Sequence, residues 1–159
     1  MRSLSIGLAA FALLAAAIWQ VSAQDRPAAK GNDAMLIKHG EYLVTEVAHC
    51  GHCHTPQDAK GQPDQTRLLQ GATLPFLPKE KTTNWAGKSP DITRSGLAGE
   101  WSEADMIKFL TTGLNPEDMK SMAPMPVFRL HKEDARAVAL YLKSLPGKKG
   151  TSQKSAGRN

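Results

Sequence analysis

Residues 55–101 are rich in proline, glycine and threonine, carry only short and weak periodic pieces, and stand between two segments with clear helical patterning. A compact domain rarely accommodates so long a stretch, because its backbone N–H and C=O groups need partners and its side chains need a surface to pack on. The bulky residues that would provide one are scarce: aromatics make up 6% of the chain. A chain of this kind closes into a domain if a large, flat apolar group stands in for the missing core.

Three segments repeat apolar residues at helical spacing, and no run alternates convincingly like a strand. The first is expected from about Asp33, read as its N-cap, with Leu36, Gly40, Leu43 and Val47 on one face and its far end leading to Cys50. The second opens at Ser102 with Asp105 in capping-box position, presents Met106, Ile107 and Leu110, and stops at Gly113. The third is predicted over residues 132–145, with Val138, Leu142 and Leu145 along one side and Pro146-Gly147 ending it. The pattern predicts an all-α fold of about three main helices plus long loops.

The only two cysteines stand three apart, in Cys50-Gly51-His52-Cys53-His54. A disulfide closing so short a loop would constrain little of the unfolded chain, so these cysteines read as chemical rather than structural. Residues three and four apart share a face of a helical turn, which lets Cys50, Cys53 and His54 address one target. This is the spacing of covalent haem attachment. Two thioethers would hold the haem and the His54 imidazole would bind the iron as proximal ligand. One haem c per chain is expected, and it is the apolar body the loops require. Gly51 leaves room for the porphyrin edge, and His52 is read as facing solvent.

Two other chemistries share these residues. Cys-Gly-His-Cys also serves thiol–disulfide oxidoreductases, but those need βαβ units around the motif, and the region upstream here reads as helical. A zinc site built from the cysteines with His49, His52 or His54 is too crowded to enclose a tetrahedral ion.

An electron carrier fills both axial positions of the iron, so that little rearranges between ferric and ferrous states. Met119, Met122 and Met125 cluster between the second and third helices. Pro124 and Pro126 flank Met125, exclude helix and stiffen the backbone around its sulfur, which makes Met125 the expected distal ligand and Met122 the fallback. Met119 and Met122 otherwise read as gap-filling residues. His131 would give a bis-histidine site but, like His39 and His49, is read as a surface residue. Thioether ligation raises the potential, so the expectation is a relatively high-potential carrier. A labile sixth position would instead suit a haem enzyme or a gas-binding protein. Trp85 and Trp101 are read as packing residues with backbone partners for their ring N–H groups, or alternatively as neighbours of the haem and its propionates.

With these residues in place, the chain resembles the class I cytochrome c family over residues 33–146. Gly40-Glu41-Tyr42-Leu43-Val44 and Cys53-His54-Thr55-Pro56 resemble its N-terminal helix and haem turn. Pro90-Asp91-Ile92-Thr93, Gly96-Leu97-Ala98-Gly99-Glu100-Trp101-Ser102, Ala123-Pro124-Met125-Pro126 and Leu140-Tyr141-Leu142-Lys143-Ser144-Leu145-Pro146 are similar to cytochrome subunits of bacterial membrane-associated dehydrogenases for alcohols and sugars. The resemblance implies a class I cytochrome c fold whose first and last helices cross at Gly40 and Tyr42 against Leu140 and Tyr141, and it carries the distal-ligand role onto Met125. It also implies an electron-transfer protein rather than an enzyme, receiving electrons from a dehydrogenase or other redox donor and passing them to an oxidase or cytochrome. Members of that group often have three haem domains, whereas this sequence holds one CxxCH; Asp91 stands where Asn is usual, and His131 where Ser or Thr is usual.

Arg2, the apolar residues 6–19 and Val21-Ser22-Ala23 read as a cleaved signal peptide of residues 1–23, with export to the periplasm. The apolar run is shorter than the roughly 20 residues needed to cross a bilayer. Residues 24–32 are expected to be a flexible segment, 33–146 the cytochrome c domain and 147–159 a disordered basic tail. The formal charge is +5, yet residues 24–145 contain fifteen Lys/Arg and fifteen Asp/Glu. The excess lies in Lys148, Lys149, Lys154 and Arg158, a solvated end that could touch an acidic partner or an anionic membrane surface. A neutral body argues against nucleic acid.

Overall fold

The computed structural model describes residues 28–147 except Lys81, with the backbone path alone for residues 28–30. The expected signal peptide and the tail beyond Gly147 lie outside these residues. In chain order the elements are α1 (Ala28–Tyr42), a π-helical turn (Leu43–Val47), α2 (Gly51–His54), a 3-10 turn (Gln65–Arg67), β1 (Gln70–Thr73), β2 (Lys88–Asp91), α3 (Leu97–Glu100), α4 (Glu103–Thr112) and α5 (Lys132–Ser144). No helix among the described residues is long and apolar enough to cross a membrane.

The crossing of α1 and α5 is the centre of the packing. Gly40 lies so close to α5 that a Cβ there would stand 2.0 Å from the Ala137 carbonyl oxygen and 2.8 Å from Tyr141 Cβ. On α5, Ala135, Ala137 and Ala139 are fully buried, and these small side chains permit the close approach. The expected crossing partner Tyr42 is 56% exposed instead. Arg136 ties three elements together: its Nη2 donates to Asp33 Oδ1 of α1 at 3.1 Å and its Nε to Glu103 Oε1 of α4 at 3.0 Å.

The helix boundaries differ in instructive ways. α1 begins at Ala28, so residues 28–32 of the segment expected to be flexible are helical and Asp33 is an interior residue, not a cap. After Tyr42 the helix widens into the π turn, closed by Ala48 N–H donating to Leu43 O at 2.8 Å. The wider turn changes the phase of the face: Val44 is buried, and Val47, expected to face the core, is 53% exposed. α4 follows expectation, with the reciprocal Ser102–Asp105 capping box and Gly113 at φ 77° in the left-handed region, where glycine carries no steric penalty. His131 stands at the N-cap position just before α5, but its side chain does not cap the helix and pairs with Glu133 instead.

The fold is mostly helical but not all-α. β1 and β2 pair antiparallel, with Gln70 opposite Asp91 and Ala72 opposite Ser89. Each strand has four residues, too short for alternation to register, and each contains a residue poor in strand propensity, Gly71 and Pro90. Ser89 provides what propensity does not. Its hydroxyl accepts from Ala72 N–H at 3.0 Å and donates to the Cys53 carbonyl at 2.5 Å, fastening the sheet to α2.

Candidate haem-binding site

The cysteine motif sits where the π turn ends. Cys50 N–H donates to Val44 O at 3.0 Å, and His49 adopts a left-handed φ of 49°, which turns the chain sharply into α2. His54 ends α2 and is 5% exposed. Its Nδ1 lies 2.8 Å from the Pro90 carbonyl oxygen of β2. A carbonyl only accepts, so Nδ1 carries the proton and Nε2 keeps its lone pair for a metal. Burial holds the His54 pKa below its ordinary value of 6.5, while the Pro90 hydrogen bond and the Asp91 charge oppose that shift. A neutral imidazole with an anchored Nδ1–H is the form in which a histidine ligates iron.

Cys50, Cys53, His54 and Met125 line one apolar cleft, backed by Leu110 and Leu142. A second cavity shares Cys53, His54, Trp101, Phe109 and Met125 with it and continues towards Leu74 and Met122. Their empty spaces, about 720 and 1180 Å3, are partly open to solvent. Trp101 stacks edge-on against Phe109 at 5.5 Å and borders both cavities, so it is a wall of the cleft. Ser121 faces the second cavity, and the buried Ser121 Oγ has no partner, nor does the buried Trp85 Nε1, for which a backbone acceptor was expected.

These observations fit a haem. An extended apolar slot suits a porphyrin, two cysteines on its wall suit thioethers, a lone-pair-bearing imidazole suits iron, and the orphaned Ser121 hydroxyl suits an acidic substituent. The residues able to hold it are Cys50, Cys53, His54 and, from the far loop, Met125. Met122 reaches only the second cavity and is 44% exposed; Met119 is also exposed. His131 borders neither cavity and is exposed, which removes it as an alternative ligand. His49 and His52, both exposed, stack at 5.0 Å, and His49 also borders the first cavity. Among the described residues no group of three or more His, Cys, Asp or Glu converges to hold a metal ion.

The thiol-redox alternative meets unfavourable chemistry. Burial pushes the Cys50 thiol up to about 11, a backbone hydrogen bond opposing and the Cys53 charge adding. Such a thiol stays protonated at neutral pH, whereas redox-active cysteines are activated by lowered pKa values.

A family model described as cytochrome c matches residues 37–146. The chain belongs to the cytochrome c family. Among curated proteins, this cytochrome is 34% identical over 122 residues to a diheme cytochrome c-type protein of Cereibacter sphaeroides, covering 74% of this chain and 38% of that protein. It is 34% identical over 123 residues to the fructose dehydrogenase cytochrome subunit of Gluconobacter japonicus, covering 72% of this chain and 23% of the subunit. It is 35% identical over 154 residues to the gluconate 2-dehydrogenase cytochrome c subunit of Pantoea cypripedii, covering 86% and 33%. The cytochrome thus spans well under two thirds of these relatives. Family membership implies a covalently bound haem c and electron transfer with redox partner proteins.

Pro90, Ser89 and the cavity walls Leu97 and Phe109 were not identified as site residues from the sequence. Pro90 and Ser89 act largely through hydrogen bonds to backbone groups, and a carbonyl acceptor has no residue-type signature.

Proposed function

We propose that this cytochrome is a single-haem electron carrier of the periplasm, moving one electron at a time from a dehydrogenase or other redox protein to an oxidase or another cytochrome. Catalysis belongs to its partners. One Cys-x-x-Cys-His occurs in the sequence, which supports one haem, and residues 1–23 have the pattern of an export signal. When bound, haem supplies a reversible Fe(III)/Fe(II) couple. Cys50 and Cys53 would tether it, and His54 Nε2 and the Met125 thioether would hold its iron. The basic tail is available to an acidic partner or an anionic membrane surface.

The observation that carries this reading is the His54 Nδ1 to Pro90 carbonyl contact of 2.8 Å, which presents Nε2 into a cleft that also contains both cysteines and Met125. Relatives named as cytochrome subunits of fructose and gluconate dehydrogenases support a dehydrogenase as the donor. Intact mass and visible spectrum of the purified protein provide the test: one covalent haem, loss of residues 1–23, and a low-spin six-coordinate iron. Met125→Ala opens the sixth position, lowers the midpoint potential and admits carbon monoxide to the ferrous protein. A colourless wild type refutes the reading. Rapid carbon monoxide binding by the wild type replaces it with a haem enzyme or gas sensor.

A further inference from the structure

We propose that Ser121 is a positioning residue for the haem: its hydroxyl donates to a propionate and fixes the acid-bearing edge of the ring in the second cavity, beside Lys88 and Lys120. The proposal rests on the reading above in that a haem tethered at Cys50 and Cys53 fills the cleft. Ser121 has no part in ligating the iron; it holds the ring at its periphery.

His54 and Met125 border both cavities, so a ring ligated between them reaches into each. The two cavities differ in charge. Among the described residues no Lys, Arg, Asp or Glu lines the first, whereas Lys88 and Lys120 line the second and no carboxylate does. A haem is apolar except for its two propionates, and a carboxylate taken out of water without a cation or a donor is costly. The acid edge therefore belongs in the second cavity.

Two serines line that cavity. Ser89 is committed, its hydroxyl accepting from Ala72 N–H at 3.0 Å and donating to the Cys53 carbonyl. The buried Ser121 Oγ has no partner. Buried hydroxyls in folded proteins are nearly always paired, so an orphan on a cavity wall points to a group that the polypeptide does not supply. With no hydrogen bond to break, rotation about Cα–Cβ aims this hydroxyl at the cavity. The chain places the residue from both sides. Before it, Met119 O accepts from Asn115 N–H at 2.9 Å and Lys120 bridges to Leu114; after it, Ala123 O accepts from Ala86 N–H at 2.7 Å. Trp85 Nε1 is orphaned as well, but Trp85 borders neither cavity.

The experiment is resonance Raman spectroscopy of the haem-loaded wild type and three variants, read at the propionate bending band, whose frequency falls when a hydrogen bond to the carboxylate is lost. Ser121→Ala removes the hydroxyl and lowers the band, while the bands that report axial ligation stay in place. Ser121→Gly removes the same hydroxyl and lowers it equally, a second route should Ser121→Ala fail to accumulate. Ser121→Thr keeps a donor and stays at the wild-type frequency. An unchanged band in the variants lacking the hydroxyl, as a water partner for Ser121 would give, overturns this proposal alone. So does a Ser121→Thr band displaced as far as that of Ser121→Ala, which would mark a packing role. A wild type without covalent haem overturns the functional reading and this proposal with it.

Discussion

The same substitution at two points of α1 should have opposite effects, and the α1–α5 contact decides the sign. At Gly31 an added Cβ meets nothing within 4 Å. Gly31→Ala should stabilise the fold by about 1 kcal/mol, the helix-propensity difference between the two residues. At Gly40 the added Cβ would stand 2.0 Å from the Ala137 carbonyl oxygen and 2.5 Å from its carbon. Both are backbone atoms of the facing helix and cannot rotate aside as a side chain could. Relief requires the two helices to separate along the face that buries Leu43, Val44, Val138 and Tyr141. Overpacking costs about 1–3 kcal/mol, and a rigid neighbour places Gly40→Ala at the upper end. Subtracting the roughly 1 kcal/mol recovered in helix propensity leaves a net loss of about 2 kcal/mol. For a domain of this size that loss corresponds to a fall in Tm of roughly 5–10 °C. Thermal unfolding of the haem-loaded protein followed by far-ultraviolet circular dichroism measures both variants. A Gly40→Ala protein that melts at or above the wild-type temperature would refute the inferred crossing.

Two further outcomes follow from the proximal side. In the haem-free chain burial lowers the His54 pKa in the folded state, so below the ordinary 6.5 the unfolded chain binds the extra proton and the stability of that form must rise with pH through the window beneath 6.5, then level off. Guanidinium midpoints between pH 5 and 8 report this, and a stability that climbs as the pH falls through that window contradicts it. Cys50→Ala and Cys53→Ala should each leave one thioether, so haem mass stays with the denatured chain, whereas the double variant should release haem on denaturation; retention by the double variant would deny thioether attachment.

The parts legible in the sequence are those specified by neighbours along the chain. Ser102, Asp105 and Gly113 bound α4 by local hydrogen bonds and a left-handed φ, and the structure has the same ends. Cys50, Cys53 and His54 fit within one helical turn, so their convergence is a matter of spacing. α1 extends upstream of Asp33 because Ala28, Ala29 and Lys30 favour helix without contributing apolar periodicity. The π turn conceals itself similarly, since the apolar steps through Val47 suit an ordinary helix until one wider turn moves Val44 inward. β1 and β2 were illegible for another reason: they depend on Ser89 and on a partner distant in the chain, and their own residues argue against strand. The walls of the cleft, including Trp101 and Phe109, became recognisable once α3 and α4 were positioned.

The two residues proposed as iron ligands, His54 and Met125, are held by unequal scaffolds, and this predicts the order in which the site fails. His54 is anchored at Nδ1 by Pro90, the Cys53 carbonyl is fastened by Ser89, and Thr55 Oγ1 accepts from Leu69 N–H at 3.0 Å in a buried contact. The first two fasten α2 to β2, and the third fastens the C-cap residue of α2 to the segment leading into β1. The loop carrying Met125 is tied more loosely. Ala86 N–H donates to Ala123 O at 2.7 Å, Met125 N–H bonds Met122 O at 3.1 Å within the loop itself, and Met119 and Met122 beside it are exposed. Segments with few buried contacts open at lower free energy than the core. The Met125–iron bond should therefore break at a lower guanidinium concentration than the helices unfold, with the visible bands changing before far-ultraviolet circular dichroism does. Coincident transitions from the two probes would mean that the distal loop and the α1–α5 core form one cooperative unit, contrary to this account.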